Sequence, residues 1–154
     1  MNTDLILGID ATNLRDGGGQ THLIELLSVA DPLKHGFKKI IVWGSKKTLN
    51  HLSDNKWLIK KIPLANEQNL LLRINWQIFY LSKEAKALGC NIILIPGGVY
   101  MGNFKPYVTI CHNMLPFEFR EIQRFGFSFI ALKLLVLKWV QSLTFNRAQG
   151  LIFL

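Results

Sequence analysis

His112 and the triplet Gly17-Gly18-Gly19 are the residues of this chain best suited to chemistry. An imidazole can hydrogen-bond a sugar or stabilise charge that develops on a leaving phosphate. A turn without side chains lets backbone N–H groups and a helix N-terminus approach the same groups closely. The triplet lacks the G-x-G-x-x-G spacing of a dinucleotide loop, and no Gly-Lys-Ser/Thr follows it as in a P-loop. Taken alone it is either a phosphate or sugar cradle or a flexible turn between strand and helix. Asp10 and Asn13 stand just before it and either orient the loop, bind ligand hydroxyls or serve as ordinary turn residues. Gly97 and Gly98 follow Pro96 and either admit a ligand or only end a strand, and Asn113 follows His112. His22 reads as a packing or capping residue. No metal site is expected.

The elements that must position these residues are legible as apolar runs. Leu5-Ile6-Leu7-Gly8-Ile9 predicts a strand before the glycine loop. Leu23, Leu26, Leu27 and Ala30 recur at helical spacing after it. Lys39–Trp43, Trp57–Ile62, Asn91–Ile95 and Tyr107–Cys111 predict four more buried strands, and Leu151–Leu154 the start of a sixth. A short helix is expected over Lys46–Leu52. The clearest helix runs from about Asn69 to Leu88, with Leu72, Trp76, Phe79, Tyr80 and Leu81 on one side and Gly89 as its cap. Continuous apolar strands alternating with helices predict a doubly wound α/β domain on a parallel sheet. Ligands of such sheets sit outside the carboxyl ends of the strands. The Asn13–Gly19 loop, Pro96-Gly97-Gly98 and His112-Asn113 are therefore expected to meet at one edge.

Composition narrows the classes. The chain has 154 residues and is 49% hydrophobic, enough for one folded domain with a substantial core. Met1-Asn2-Thr3-Asp4 has neither the basic nor the apolar segment of a secretory signal. Cys90 and Cys111 lie in or beside apolar strands and read as reduced core thiols of a cytoplasmic protein. Eighteen Lys and Arg against ten Asp and Glu give a net charge of +8. The excess falls in residues 31–61 and in 122–154, where Arg124, Lys133, Lys138 and Arg147 face no acid. No aromatic-interleaved basic motif points to nucleic acid, so phosphate or an anionic membrane surface is the expected partner. Residues 125–145 are strongly apolar. Their insertion gain of about −6 kcal/mol is cancelled by two lysines at about +2.5 to +3.5 kcal/mol each, so a helix on the sheet or in a membrane interface is expected.

With these residues placed, the chain resembles the N-terminal domain of family 4 (group 1) glycosyltransferases of the GT-B fold. The resemblance rests on the strand, the Gly17-Gly18-Gly19 loop, the helix opening Gln20-Thr21-His22-Leu23, and Val108-Thr109-Ile110-Cys111-His112-Asn113-Met114-Leu115-Pro116. Ala148-Gln149-Gly150-Leu151-Ile152-Phe153-Leu154 resembles the family's run before its inter-domain crossing, with Gln149 in place of Asp. It implies a Rossmann-like acceptor-side half spanning 1–154, in which a glycine pair lies near the donor phosphates and His112 near the transfer centre. Asn113 stands where the family more often has Asp. It further implies a nucleotide-sugar donor, a glycan or lipid-linked acceptor, no separate cofactor, and a role in polysaccharide synthesis at the cytoplasmic membrane. The family's C-terminal donor-binding domain is not among these residues, so the chain reads as truncated. Glu118, Arg120 and Glu121 are expected on a loop that either shapes the acceptor cleft or is simply solvated. The alternatives are a non-catalytic remnant of the same fold and a Rossmann-like small-ligand binder.

Overall fold

The computed structural model describes residues 4–63 and 70–154. Six parallel strands form one sheet: β1 (Leu5–Asp10), β2 (Phe37–Trp43), β3 (Leu58–Lys61), β4 (Ile92–Ile95), β5 (Tyr107–Cys111) and β6 (Gly150–Phe153). Their order is β3-β2-β1-β4-β5-β6. All five pairings are parallel, with Asp10 beside Trp43 and Ile9 beside Leu94 in register. The fold is α/β, Rossmann-like and doubly wound, as the apolar runs predict.

Both faces of the sheet are covered because successive side chains point to opposite sides. Ile40 and Val42 of β2 join Ile9, Leu23, Leu27 and Leu49 in one core. Their neighbours Ile41 and Trp43 join Trp76, Leu81, Ile93 and Tyr107 in the other. Helices α1 (Gly18–Val29) and α2 (Lys46–Asn50) serve the first core. The second is served by α3 (Leu70–Trp76), a π-helical turn (Gln77–Leu81) and α4 (Ser82–Ala87), which together form one helical run. Glu84 ties that run to the sheet, accepting from Trp43 Nε1 at 2.9 Å and from Trp76 Nε1 at 3.2 Å.

The π-turn corrects the expected helix face. Trp76, Gln77, Leu81 and Ala85 are buried, whereas Leu72, Phe79 and Tyr80 are exposed. Inserting one residue into the ladder rotates the face, so a regular 3.6-residue count assigns the wrong side. The expected start at Asn69 lies outside the described residues. Gly89, at φ +73°, ends the run as expected. Leu26, expected in the buried stripe of α1, is exposed.

Two helices follow β5. α5 (Phe119–Arg124) places Arg120 on a helix, where a loop is expected. α6 (Phe129–Arg147) begins when Ser128 accepts from the Ala131 N–H at 3.2 Å. It meets the sheet side through polar groups: Thr144 Oγ1 accepts from Tyr100 N at 2.9 Å, and Tyr107 donates its hydroxyl to Thr144 O at 2.6 Å. Its large apolar side chains turn outward, with Phe129 81% and Trp139 62% exposed. By length and composition alone α6 could cross a bilayer. Cys90 and Cys111 are buried and free, and burial pushes the Cys90 thiol up to about 11.

Candidate functional site

The strand order reverses between β1 and β4, so the segments leaving these two strands diverge and open a crevice at the carboxyl edge. Asp10 closes β1 at the bottom of that crevice and is only 2% exposed. Its Oδ1 accepts from Thr12 N at 3.1 Å and from Thr12 Oγ1 at 2.6 Å, and its Oδ2 accepts from Gln77 Nε2 at 2.5 Å. Gln77 Oε1 in turn accepts from Met101 N at 2.7 Å. Burial raises the Asp10 pKa, opposed by the Thr12 and Gln77 hydrogen bonds and by the charge of Arg73. Every donor it meets is internal. These bonds fix the β1 loop against the π-turn and the segment after β4.

The glycine turn stands at the rim. Gly17 caps α1 at φ 83° and ψ −168°, a region that only glycine occupies readily, and its carbonyl accepts from Gln20 N and Thr21 N. A Cβ on Gly18 would meet nothing within 4 Å, so the first turn of α1 is open to solvent there. A Cβ on Gly19 would lie 3.1 Å from Leu14 and 3.9 Å from the His112 ring. Below, Thr48 Oγ1 donates to Leu14 O at 2.7 Å and holds the turn to α2, and Lys47 pairs with Asp16.

His112 enters from the end of β5. Its ring lies 5.3 Å from that of His22, edge to face. Partial burial and the neighbouring His22 lower its pKa from 6.5, while a hydrogen bond to the Pro96 backbone opposes the shift. The imidazole is thus biased toward its neutral form at neutral pH. Nδ1 of His22 is buried without a hydrogen-bond partner among the described residues. Asn113 is exposed and uses its Oδ1 to accept from Leu115 N at 2.8 Å, which leaves its amide nitrogen at the rim.

A cavity of about 350 Å³ continues from this crevice, between α3 and α6. Thr12, Asn13, Gly97, Gln77, Arg73 and Lys133 supply its polar wall, and Ile74, Val99, Met101, Val136 and Val140 much of its apolar one. Arg73 Nη1 donates to Thr12 O at 3.2 Å, and desolvation lowers its pKa. A larger cavity, about 670 Å³, lies between Lys61–Pro63 and the helical run, where Glu84 is already engaged by the two indoles.

The three loops expected to converge do so. Gly19 approaches His112, a Cβ on Gly97 would lie 3.4 Å from Asn13 Cβ, and Pro96 bonds His112. Gly98 is buried at φ +68°, and a Cβ there would lie 3.2 Å from Gln141 and 3.3 Å from Ile110 O, so the backbone packs closely against α6. Sequence reasoning missed Thr12, Arg73, Gln77 and Lys133. Arg73 and Gln77 are four residues apart in an apolar helix, a polar pair on one face that could have been noticed. Among the described residues no three His, Cys, Asp or Glu side chains form a metal cluster. No family model, curated protein or solved structure matches the chain.

Proposed function

We propose that the chain is the acceptor-side half of a GT-B glycosyltransferase, which moves a sugar from a nucleotide-sugar to a glycan or lipid-linked acceptor in polysaccharide synthesis. The observation that carries this reading is the meeting of an open glycine turn with a largely neutral imidazole outside β1, β4 and β5. The free first turn of α1 takes the donor phosphate oxygens through Gly18 and Gly19 N–H groups. His112, held by Pro96, keeps a ring nitrogen for a sugar hydroxyl or for charge on the leaving diphosphate. Asn113 and Asn13 offer rim amides to sugar hydroxyls. A second domain or partner chain facing this edge binds the rest of the donor. The outward apolar side of α6, with Lys133 and Lys138, supports a site of action at the cytoplasmic face of an anionic membrane.

The test is transfer of labelled sugar from a pool of nucleotide-sugars to a lipid and glycan extract by the full-length protein. His112→Ala is expected to lower turnover about 100-fold with folding intact. Undiminished turnover in that variant, or no transfer from any donor, contradicts the reading; the second outcome is what a non-catalytic remnant would give. The strand order, with its crevice at the β1–β4 reversal, also suits a small-ligand binder. Tight one-to-one binding of a free nucleotide by this chain alone would favour that alternative.

A further inference from the structure

The cavity between α3 and α6 has a composition that the sugar-transfer reading does not use. Its lining contains two cations, Arg73 and Lys133, and no acid. The nearest buried carboxylate, Asp10, is occupied by Thr12 and Gln77. Arg73 Nη1 is committed to Thr12 O, which fixes the guanidinium, yet its Nε–H is buried with no hydrogen-bond partner among the described residues. A fixed guanidinium with an unused buried donor favours an anion.

Apart from Thr12, Asn13, Gln77 and Gly97, the rest of the lining is hydrocarbon. Ile74 of α3 faces Val136 and Val140 of α6 across a space of about 350 Å³. That lies at the small end of ligand pockets, which run from about 300 to 1,000 Å³, and suits one chain better than two. Val136 lines the cavity and is also half-exposed, so it stands at the mouth, where the cavity joins the apolar outer side of α6.

We propose that this cavity binds a single-chain amphiphilic anion, its phosphate on Arg73 and Lys133 and its hydrocarbon between α3 and α6. The proposal concerns binding and holds whether or not sugar transfer does. The phosphate arrives on a soluble single-chain amphiphile; a headgroup held in a bilayer is the competing source, and the two are separable.

Titration of the protein with dodecyl phosphate below its micellar concentration, followed by calorimetry, tests it. Saturable one-to-one binding is expected, with inorganic phosphate and the neutral amphiphile octyl glucoside at least about tenfold weaker. Lys133→Gln removes one charged contact and is expected to weaken binding about tenfold, which is about 1.4 kcal/mol. Val136→Asp places a carboxylate at the mouth and abolishes binding. Leu132→Asp, on the exposed side of α6 and outside the cavity lining, leaves it unchanged. Thermal unfolding checks that each variant is folded. Equal binding of the neutral and anionic amphiphiles, or an unchanged affinity in folded Val136→Asp, overturns the proposal. So does binding seen only to vesicles containing phosphatidic acid, which would assign the cations to a bilayer surface. His112→Ala is expected to retain dodecyl phosphate binding, so loss of transfer and loss of this site are read apart.

Discussion

At the scale of single residues, Gly17 and Gly18 separate backbone necessity from open space. Gly17 occupies a conformation that costs other residues about 1–3 kcal/mol, so Gly17→Ala is expected to destabilise by that amount. Gly18 is helical with nothing near its missing Cβ, so Gly18→Ala is expected to stabilise by about 0.5–1 kcal/mol. If the open face serves a ligand, the same variant loses transfer while gaining stability; a gain in stability with full transfer would make Gly18 a mere turn residue. Asp10 gives a second test at this scale. Its folded pKa is raised above 3.8 by burial, so its folded form binds a proton more tightly than the unfolded chain. Its contribution is therefore complete below about that value and is lost as pH rises through the folded pKa. Denaturant unfolding should show wild-type stability falling relative to Asp10→Asn over that interval. A difference between the two that does not change as pH rises above 3.8 would contradict the buried-carboxylate account.

At the scale of elements, the helical run from α3 to α4 carries most of what was not legible in sequence. β1, β2, β4 and β5 were legible as short, largely apolar runs, which strands covered on both faces require, whereas β3 and β6 lie at the two edges of the sheet and hold no buried residue, so β3 is not the buried strand expected. The helix boundaries were legible where a cap marks them, as at Gly89. The π-turn was not, since a single slip in the hydrogen-bond ladder leaves no mark in composition. It reverses the assignment of Phe79 and Tyr80, and it brings Gln77 onto Asp10 and Met101. Glu84 belongs to the same element. Glu84→Leu strands two indole N–H groups and is expected to cost about 2–4 kcal/mol in urea unfolding, with Glu84→Gln costing less because its carbonyl still accepts one. Equal stability of Glu84→Leu and wild type would mean that both indoles find solvent.

At the scale of the molecule, α6 buries Ala131, Leu134, Gln141 and Thr144, while Phe129, Leu132, Leu135 and Trp139 are exposed. The acid-free composition of this region was visible in sequence, but which side of the helix faces outward depends on Tyr100 and Tyr107 and was not. An interfacial role predicts sedimentation with anionic vesicles at low salt. Replacing Lys133 and Lys138 together by Gln should weaken it about 30-fold, at roughly 1 kcal/mol per lysine near the surface. Unchanged sedimentation of the double variant would remove the charge contribution. The convergence at the carboxyl edge likewise exists only in the assembled sheet, since Gly19, Pro96 and His112 come from three loops. Its most direct test is the imidazole titration of His112 by NMR, alone and with uridine and guanosine diphosphate-sugars at millimolar concentration. The account predicts a free pKa below 6.5 that rises when the diphosphate binds beside it. A titration curve that is the same with and without every nucleotide-sugar would contradict a transfer site at this edge.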